Sequence, residues 1–116
     1  MGADVIKVEA PGAGDQMRSM GVQLAPGISP GFLGQNANKR SIALDLKTED
    51  GVRVVSRLMK DADVIVINMR PGTAERIGIG YETARTANPS IIYCAISGYG
   101  QTGPDADRPA MDHLIQ

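Results

Sequence analysis

Histidine and cysteine occur once each in these 116 residues, tryptophan is absent, and only four aromatic side chains are present: Phe32, Tyr81, Tyr93 and Tyr99. With Cys94 alone, no intrachain disulfide can form and nothing calls for an oxidising compartment. His113 and Cys94 do not make a metal-ligand spacing. Four aromatics offer too few faces for stacking nucleic-acid bases. Charge of either sign is not in excess: 12 basic and 13 acidic residues leave a formal net charge of −1, which gives no field to draw in a polynucleotide or an anionic membrane. No apolar run approaches the roughly 20 residues of a membrane helix, and Met1-Gly2-Ala3-Asp4 has no basic segment leading into an apolar one. The expectation is a soluble, cytoplasmic protein. Phosphate-cradling glycine motifs are missing too: Gly12-Ala13-Gly14 meets Met17, and Gly78-Ile79-Gly80 meets Thr83, where a dinucleotide fingerprint needs a third glycine.

What is present is a 42% hydrophobic chain with alternating strand and helix signals. Ala3 to Glu9 is a β-branched run that stops at Pro11-Gly12 and predicts a strand. Ala10 to Gly34, rich in Pro and Gly and without a sustained period, predicts a long loop of the kind that often carries function. Ser41 to Leu46 alternates at period two and predicts a second strand. Thr48 is the expected N-cap of a helix in which Glu49 and Asp50 suit the positive end, Val52, Val55 and Met59 recur at helical spacing, and Lys60 suits the negative end. Val64 to Asn68 and Ile91 to Ile96 predict strands covered on both faces, which makes Cys94 a small buried thiol. Between them, Thr73 to Ile77 and Glu82 to Ala87 predict short helices, the second closed by Asn88-Pro89. Ser97 to Ala110 predicts another Gly/Pro-rich loop, and Met111 to Gln116 the first turns of a helix. The order calls for an α/β fold: a mainly parallel sheet with flanking helices and right-handed crossovers. Opening on a strand and closing inside a helix, with four strands leaving sheet edges bare, the chain reads as an incomplete piece of a larger domain.

In open parallel sheets ligands bind beyond the carboxyl ends of the strands. Lys47 closes the second predicted strand, and Asn68, Met69 and Arg70 close the third. A guanidinium at such a place suits a phosphate, and Arg76 lies six residues beyond Arg70, across the Pro71-Gly72 turn. Asn38-Lys39-Arg40 adds donors ahead of the second strand. Each of these charges could equally be a solvated group at an element end. Among the carboxylates, Asp15, Asp45, Asp63, Asp105, Asp107 and Asp112 could each serve acyl transfer as a nucleophile, and spacing selects none of them.

Five segments, in order and in register, carry a resemblance: GADVIKVEAPGAGDQMR, NKRSIALDLKTEDG, ADVIVINMRPGTAERIGIGYE, NPSIIYCAISGYGQTGP and DRPAMDHLIQ. Together they resemble the amino-terminal part of the class III CoA-transferases (the CaiB/BaiF, formyl-CoA-transferase-like family). The resemblance implies a Rossmann-like large domain, of which residues 1–116 are a part, lacking a first strand, the catalytic segment and a small domain, in a protein that forms an interlocked homodimer. It implies transfer of CoA from an acyl-CoA to a carboxylic acid through an aspartyl anhydride and an aspartyl thioester. CoA and acyl-CoA enter as substrates, with no permanently bound cofactor and no metal. The family's catalytic Asp falls beyond residue 116, so no catalytic residue is assigned here and the chain alone is expected to be inactive. Contacts to CoA carry over to Leu44, Leu46, Lys47, Asn68, Met69, Arg70 and Arg76. Two positions depart from the family pattern: Ala10 stands where an Arg is common, and Met69 replaces an aromatic. A racemase or epimerase of the same family is the alternative activity, disfavoured because Met111 occupies the place of the catalytic His. A non-catalytic nucleotide-binding module is the alternative of another class.

Overall fold

Strand, helix and turn signals in the sequence become nine short elements in the computed structural model, which describes residues 2–110. In chain order they are β1 (Val5–Glu9), a 3-10 turn (Gln16–Arg18), α1 (Pro30–Asn36), β2 (Lys39–Ala43), α2 (Glu49–Asp61), β3 (Val64–Ile67), α3 (Thr73–Arg76), α4 (Tyr81–Ala87) and β4 (Ile92–Ala95). Met1 and the segment 111–116, which holds Met111, Asp112 and His113, lie outside the described residues.

The strands pair in parallel, as the alternation of elements requires, in two separate two-stranded ladders. β1 runs beside β2 from Val5 opposite Lys39 to Glu9 opposite Ala43. β3 runs beside β4 from Val64 opposite Ile92 to Ile67 opposite Ala95. A parallel pair cannot be closed by a tight hairpin, and each pair here is joined by a long excursion through helical segments. The chain divides between Leu46 and Lys47 into two compact units, one around each ladder.

Among the described residues the second unit has an apolar core and the first does not. Every buried hydrophobic among the described residues lies between Val55 and Ile91: Val55 and Met59 on α2, Ile67 on β3, Ala74 on α3, Ile79, Ala84 on α4, and Ile91. The helical spacing of Gly51, Val55 and Met59 puts one face of α2 into this core, where α2 meets α4. In the first unit the buried residues are polar, Glu9 at 7% exposure and Ser29 at 1%. Burying such groups is costly unless each is hydrogen-bonded, and each is.

Three expectations change. β2 runs over Lys39–Ala43, two residues earlier than the alternation of Ser41 to Leu46 suggested, because pairing with the five residues of β1 sets its extent. Leu44 makes the last bond, its N–H donating to the Glu9 carbonyl at 2.9 Å, and the chain then leaves the ladder. The excursion from Ala10 to Gly34 is not all loop: Ser29 accepts from the Phe32 N–H and Pro30 takes the first turn, which starts α1 despite Gly31 and Gly34. The β3–β4 ladder is covered on one face only. Strand alternation sends Ile65, Ile67 and Tyr93 one way, and leaves Val66 and Ile92, each 63% exposed, on the other. Cys94, opposite Val66 in register, is therefore exposed rather than buried.

Candidate functional site

At the carboxyl end of β3 the chain turns through Asn68-Met69-Arg70-Pro71-Gly72. Gly72 takes the left-handed conformation (φ 75°) that an L side chain disfavours, and the Thr73 N–H closes the turn on the Arg70 carbonyl at 3.1 Å. That geometry leaves the Arg70 side chain exposed beyond the strand, with no carboxylate in ion-pair reach among the described residues. A small cleft opens beside it, lined among others by Ile67, Met69, Arg70, Glu75, Tyr93 and Gln101. Tyr93 is a fixed wall of this cleft: its hydroxyl donates to the Ile79 carbonyl at 3.2 Å, and the Tyr81 ring meets it edge-on at 5.8 Å. Burial, and secondarily the nearby Glu75 carboxylate, pushes its phenol above the ordinary range, so it stays a neutral donor. The cleft thus combines an apolar floor with the Arg70 guanidinium, the Glu75 carboxylate and the neutral Tyr93 and Gln101; the guanidinium is the group in it that suits an anion, and Glu75 opposes one.

The structure brings together Met69 and Arg70 of the residues singled out in the sequence. Asn68 and Arg76 are exposed and do not line the cleft; Arg76 donates to the Thr73 hydroxyl at 3.3 Å on α3. In the first unit Leu44 and Leu46 are half-buried in the segment that follows β2, and Lys47, which opens the second unit, is exposed. The basic residues Lys39 and Arg40, which open β2, already have partners. Lys39 donates to Asn36 at 3.2 Å, and Arg40 forks onto Asp4 at 2.7 and 3.1 Å. Among the candidate carboxylates, Asp105 pairs with Arg108 and Asp15 with Lys7. No group of three His, Cys, Asp or Glu side chains that could hold a metal occurs among the described residues.

A second constellation, which the spacing of residues did not reveal, sits at the carboxyl end of β1. Both oxygens of the buried Glu9 carboxylate are saturated. One accepts from Arg18 Nε at 2.8 Å and the Asp15 N–H at 3.0 Å, the other from an Arg18 terminal nitrogen at 2.8 Å and the Ser41 hydroxyl at 2.6 Å. The Arg18 hydrogen bonds lead in holding Glu9 at about 2, with Ser41 and the Asp15 N–H adding to them against the opposing effect of burial. Lys7, joined by the Met17 N–H, holds Asp15 below its usual value. Arg18 also lies 4.0 Å over the Phe32 ring of α1, a cation–π contact. Gly14 makes the close approach possible, since a Cβ there would fall 2.8 Å from a Glu9 oxygen. Of this group, the sequence singled out only Asp15, as one of six candidate carboxylates; that it caps the Gln16–Arg18 turn is a finding of the structure.

Comparison with known proteins adds an independent line. The family model described as CoA-transferase family III matches residues 1–116. The succinyl-CoA:glutarate CoA-transferase of Mus musculus is 49% identical over 114 residues, which are 98% of this chain and 26% of that protein. The succinate–glutarate CoA-transferase of Agrobacterium fabrum is 45% identical over an alignment that takes in 100% of this chain and 30% of that protein. Among solved structures, that of a CAIB/BAIF family protein from Brucella suis matches with a TM-score of 0.91 at 42% identity, over 99% of this chain and 31% of that one. The chain spans less than a third of the length of each of these relatives.

Proposed function

Because this chain belongs to CoA-transferase family III, we propose that it is part of the large domain of an enzyme that moves CoA from an acyl-CoA thioester to a carboxylic acid. The donor is the CoA thioester of a small dicarboxylic acid and the acceptor a small dicarboxylate in this reading, since the mouse and Agrobacterium relatives are named for succinyl-CoA or succinate and for glutarate.

A carboxylate oxygen attacks the thioester carbonyl, the C–S bond breaks, and CoA leaves as the thiolate beside a mixed anhydride. The thiolate then attacks the enzyme's carbonyl of that anhydride, releasing the donor acid and leaving an aspartyl-CoA thioester. The acceptor carboxylate runs the same two steps in reverse and leaves as the new thioester. We assign the nucleophile to none of the carboxylates between residues 1 and 116 and place it beyond them. The part of this chain is to hold CoA. Arg70 and Arg76 meet phosphate oxygens, Asn68 and Lys47 supply further donors, and Leu44, Leu46 and Met69 give apolar contact to the ligand. No tightly held cofactor enters these steps. An interlocked homodimer in the cytoplasm is the assembly we propose for the enzyme.

The observation that carries the reading is Arg70: a guanidinium set beyond the end of a parallel strand, at the mouth of a cleft, with no carboxylate partner among the described residues. A calorimetric titration with CoA tests it. A hydrogen bond from a charged group contributes about 1.5–3 kcal/mol, so Arg70→Ala weakens binding by about 10- to 100-fold. An unchanged affinity would remove Arg70, and with it this site, from the proposal.

A further inference from the structure

Among the described residues of the first unit only two are buried, both polar, so its order rests on directed hydrogen bonds in place of an apolar core. Those bonds converge on Glu9. Its side chain collects donors from three segments: Asp15 in the excursion, Arg18 in the 3-10 turn and Ser41 on β2. Its carbonyl takes the Leu44 N–H, the first bond of the Leu44–Leu46 segment. Arg18 passes the constraint on, because the guanidinium that forks onto Glu9 also stacks on Phe32. Ser29 closes the circuit by accepting from the Phe32 N–H and donating to the Met17 carbonyl. One carboxylate therefore ties β1, β2, the excursion and the start of the Leu44–Leu46 segment into a single arrangement. Nothing in it reaches out with an unsatisfied charge: Lys7, Asp15, Glu9 and Arg18 neutralise one another, which makes the cluster a poor anion site and a good brace.

We propose that Glu9 is a positioning residue, whose carboxylate, forked by Arg18 and bonded to Ser41, fixes the Leu44–Leu46 segment in the conformation that contacts CoA. This rests on the reading of that segment as a CoA contact. Replacing the carboxylate with the isosteric amide removes the charge that orders Arg18 and leaves one Arg18 or Ser41 donor facing an amide N–H. The segment then samples conformations that do not bind, and the apparent affinity falls by the fraction lost while the reacting groups are untouched.

Steady-state kinetics of the complete polypeptide, with succinyl-CoA as donor and glutarate as acceptor, test this in Glu9→Gln, Ser41→Ala and Arg70→Ala. Glu9→Gln is expected to raise KM for succinyl-CoA about tenfold with kcat within about twofold, and Ser41→Ala to raise it by about two- to threefold. KM for glutarate stays the same in both. A purely architectural role would lower thermal stability and the active fraction, hence apparent kcat, without moving KM, and that outcome overturns the proposal. Should Glu9→Gln fail to fold, Ser41→Ala decides, and an unchanged KM in it overturns the proposal as well. Arg70→Ala separates the two levels. A raised KM there beside an unchanged KM in the Glu9 and Ser41 variants sinks the positioning role alone, whereas an unchanged KM in all three sinks the CoA-site reading on which it stands.

Discussion

Arg18 sets its Nε and a terminal nitrogen each 2.8 Å from the two oxygens of Glu9, a bidentate pair that joins the end of β1 to the excursion that follows it. The pair is enclosed on the Glu9 side, where the side chain is 4% exposed, and backed by the Phe32 ring on the Arg18 side. Such a charge-assisted fork is the strong form of hydrogen bond between side chains.

The pH dependence follows from its sign. Glu9 is depressed from 4.5 to about 2 in the folded chain, so its contribution is present in full above about 4.5 and is lost as pH falls toward 2. Amide hydrogen exchange across residues 10–36 is expected to speed up over that window, ahead of the α2 amides, whose helix packs on apolar side chains. Glu9→Gln should show the faster exchange already at neutral pH. Simultaneous loss of protection in both regions would count against a separate acid-sensitive clasp.

The cap of α2 can be weighed separately. Thr48 Oγ1 accepts from the Gly51 N–H at 3.1 Å, and Thr48→Ala removes that acceptor. The expected cost is about 1 kcal/mol, within the range of about 0.5–2 kcal/mol for such caps. Equilibrium urea unfolding reads it as a lower midpoint with an unchanged slope.

Gly98 is held against Ala110. A Cβ added to Gly98 would fall 1.9 Å from the Ala110 Cβ, closer than two carbons can approach. Gly98→Ala is expected to destabilise by about 1–3 kcal/mol through forced backbone movement. Adding Ala110→Gly should restore part of the loss in thermal unfolding. Full stability of the single variant would show that this approach is not tight.

Cys94 offers a direct check on the uncovered face of the β3–β4 ladder. In the 116-residue chain it is exposed, and a maleimide should label it completely without denaturant. Labelling that waits for unfolding would mean that this face is covered.

A last prediction concerns Gly14, whose left-handed backbone (φ 67°) and missing Cβ let the Asp15 N–H and Arg18 reach Glu9. Gly14→Ala should mimic Glu9→Gln in hydrogen exchange, since it displaces the same bonds by steric means. Protection equal to that of the unaltered chain would show that the loop can absorb the methyl group.

Local signals decided a good deal of this chain. Thr48 with Glu49 and Asp50 before the Val55 and Met59 spacing was enough to place α2. Val64 to Asn68 and the Arg70-Pro71-Gly72 turn placed, to within one residue, the end of the strand that stops at Ile67 ahead of Arg70, because strand periodicity and turn chemistry are properties of neighbouring residues. Five segments in register were enough for the family. Tertiary structure alone decided the rest. The extent of β2 came from pairing with β1, 34 residues away, which moved it off the Ser41 to Leu46 alternation. Exposure of Cys94 came from which face of the ladder is packed, and an apolar run of residues does not say that. Glu9 is the clearest case. A carboxylate at a strand end reads as solvated until Arg18, nine residues on, and Ser41, 32 residues on, are folded against it. Burial of a charge is tolerated only when partners from distant segments arrive together, and their arrival is a property of the fold.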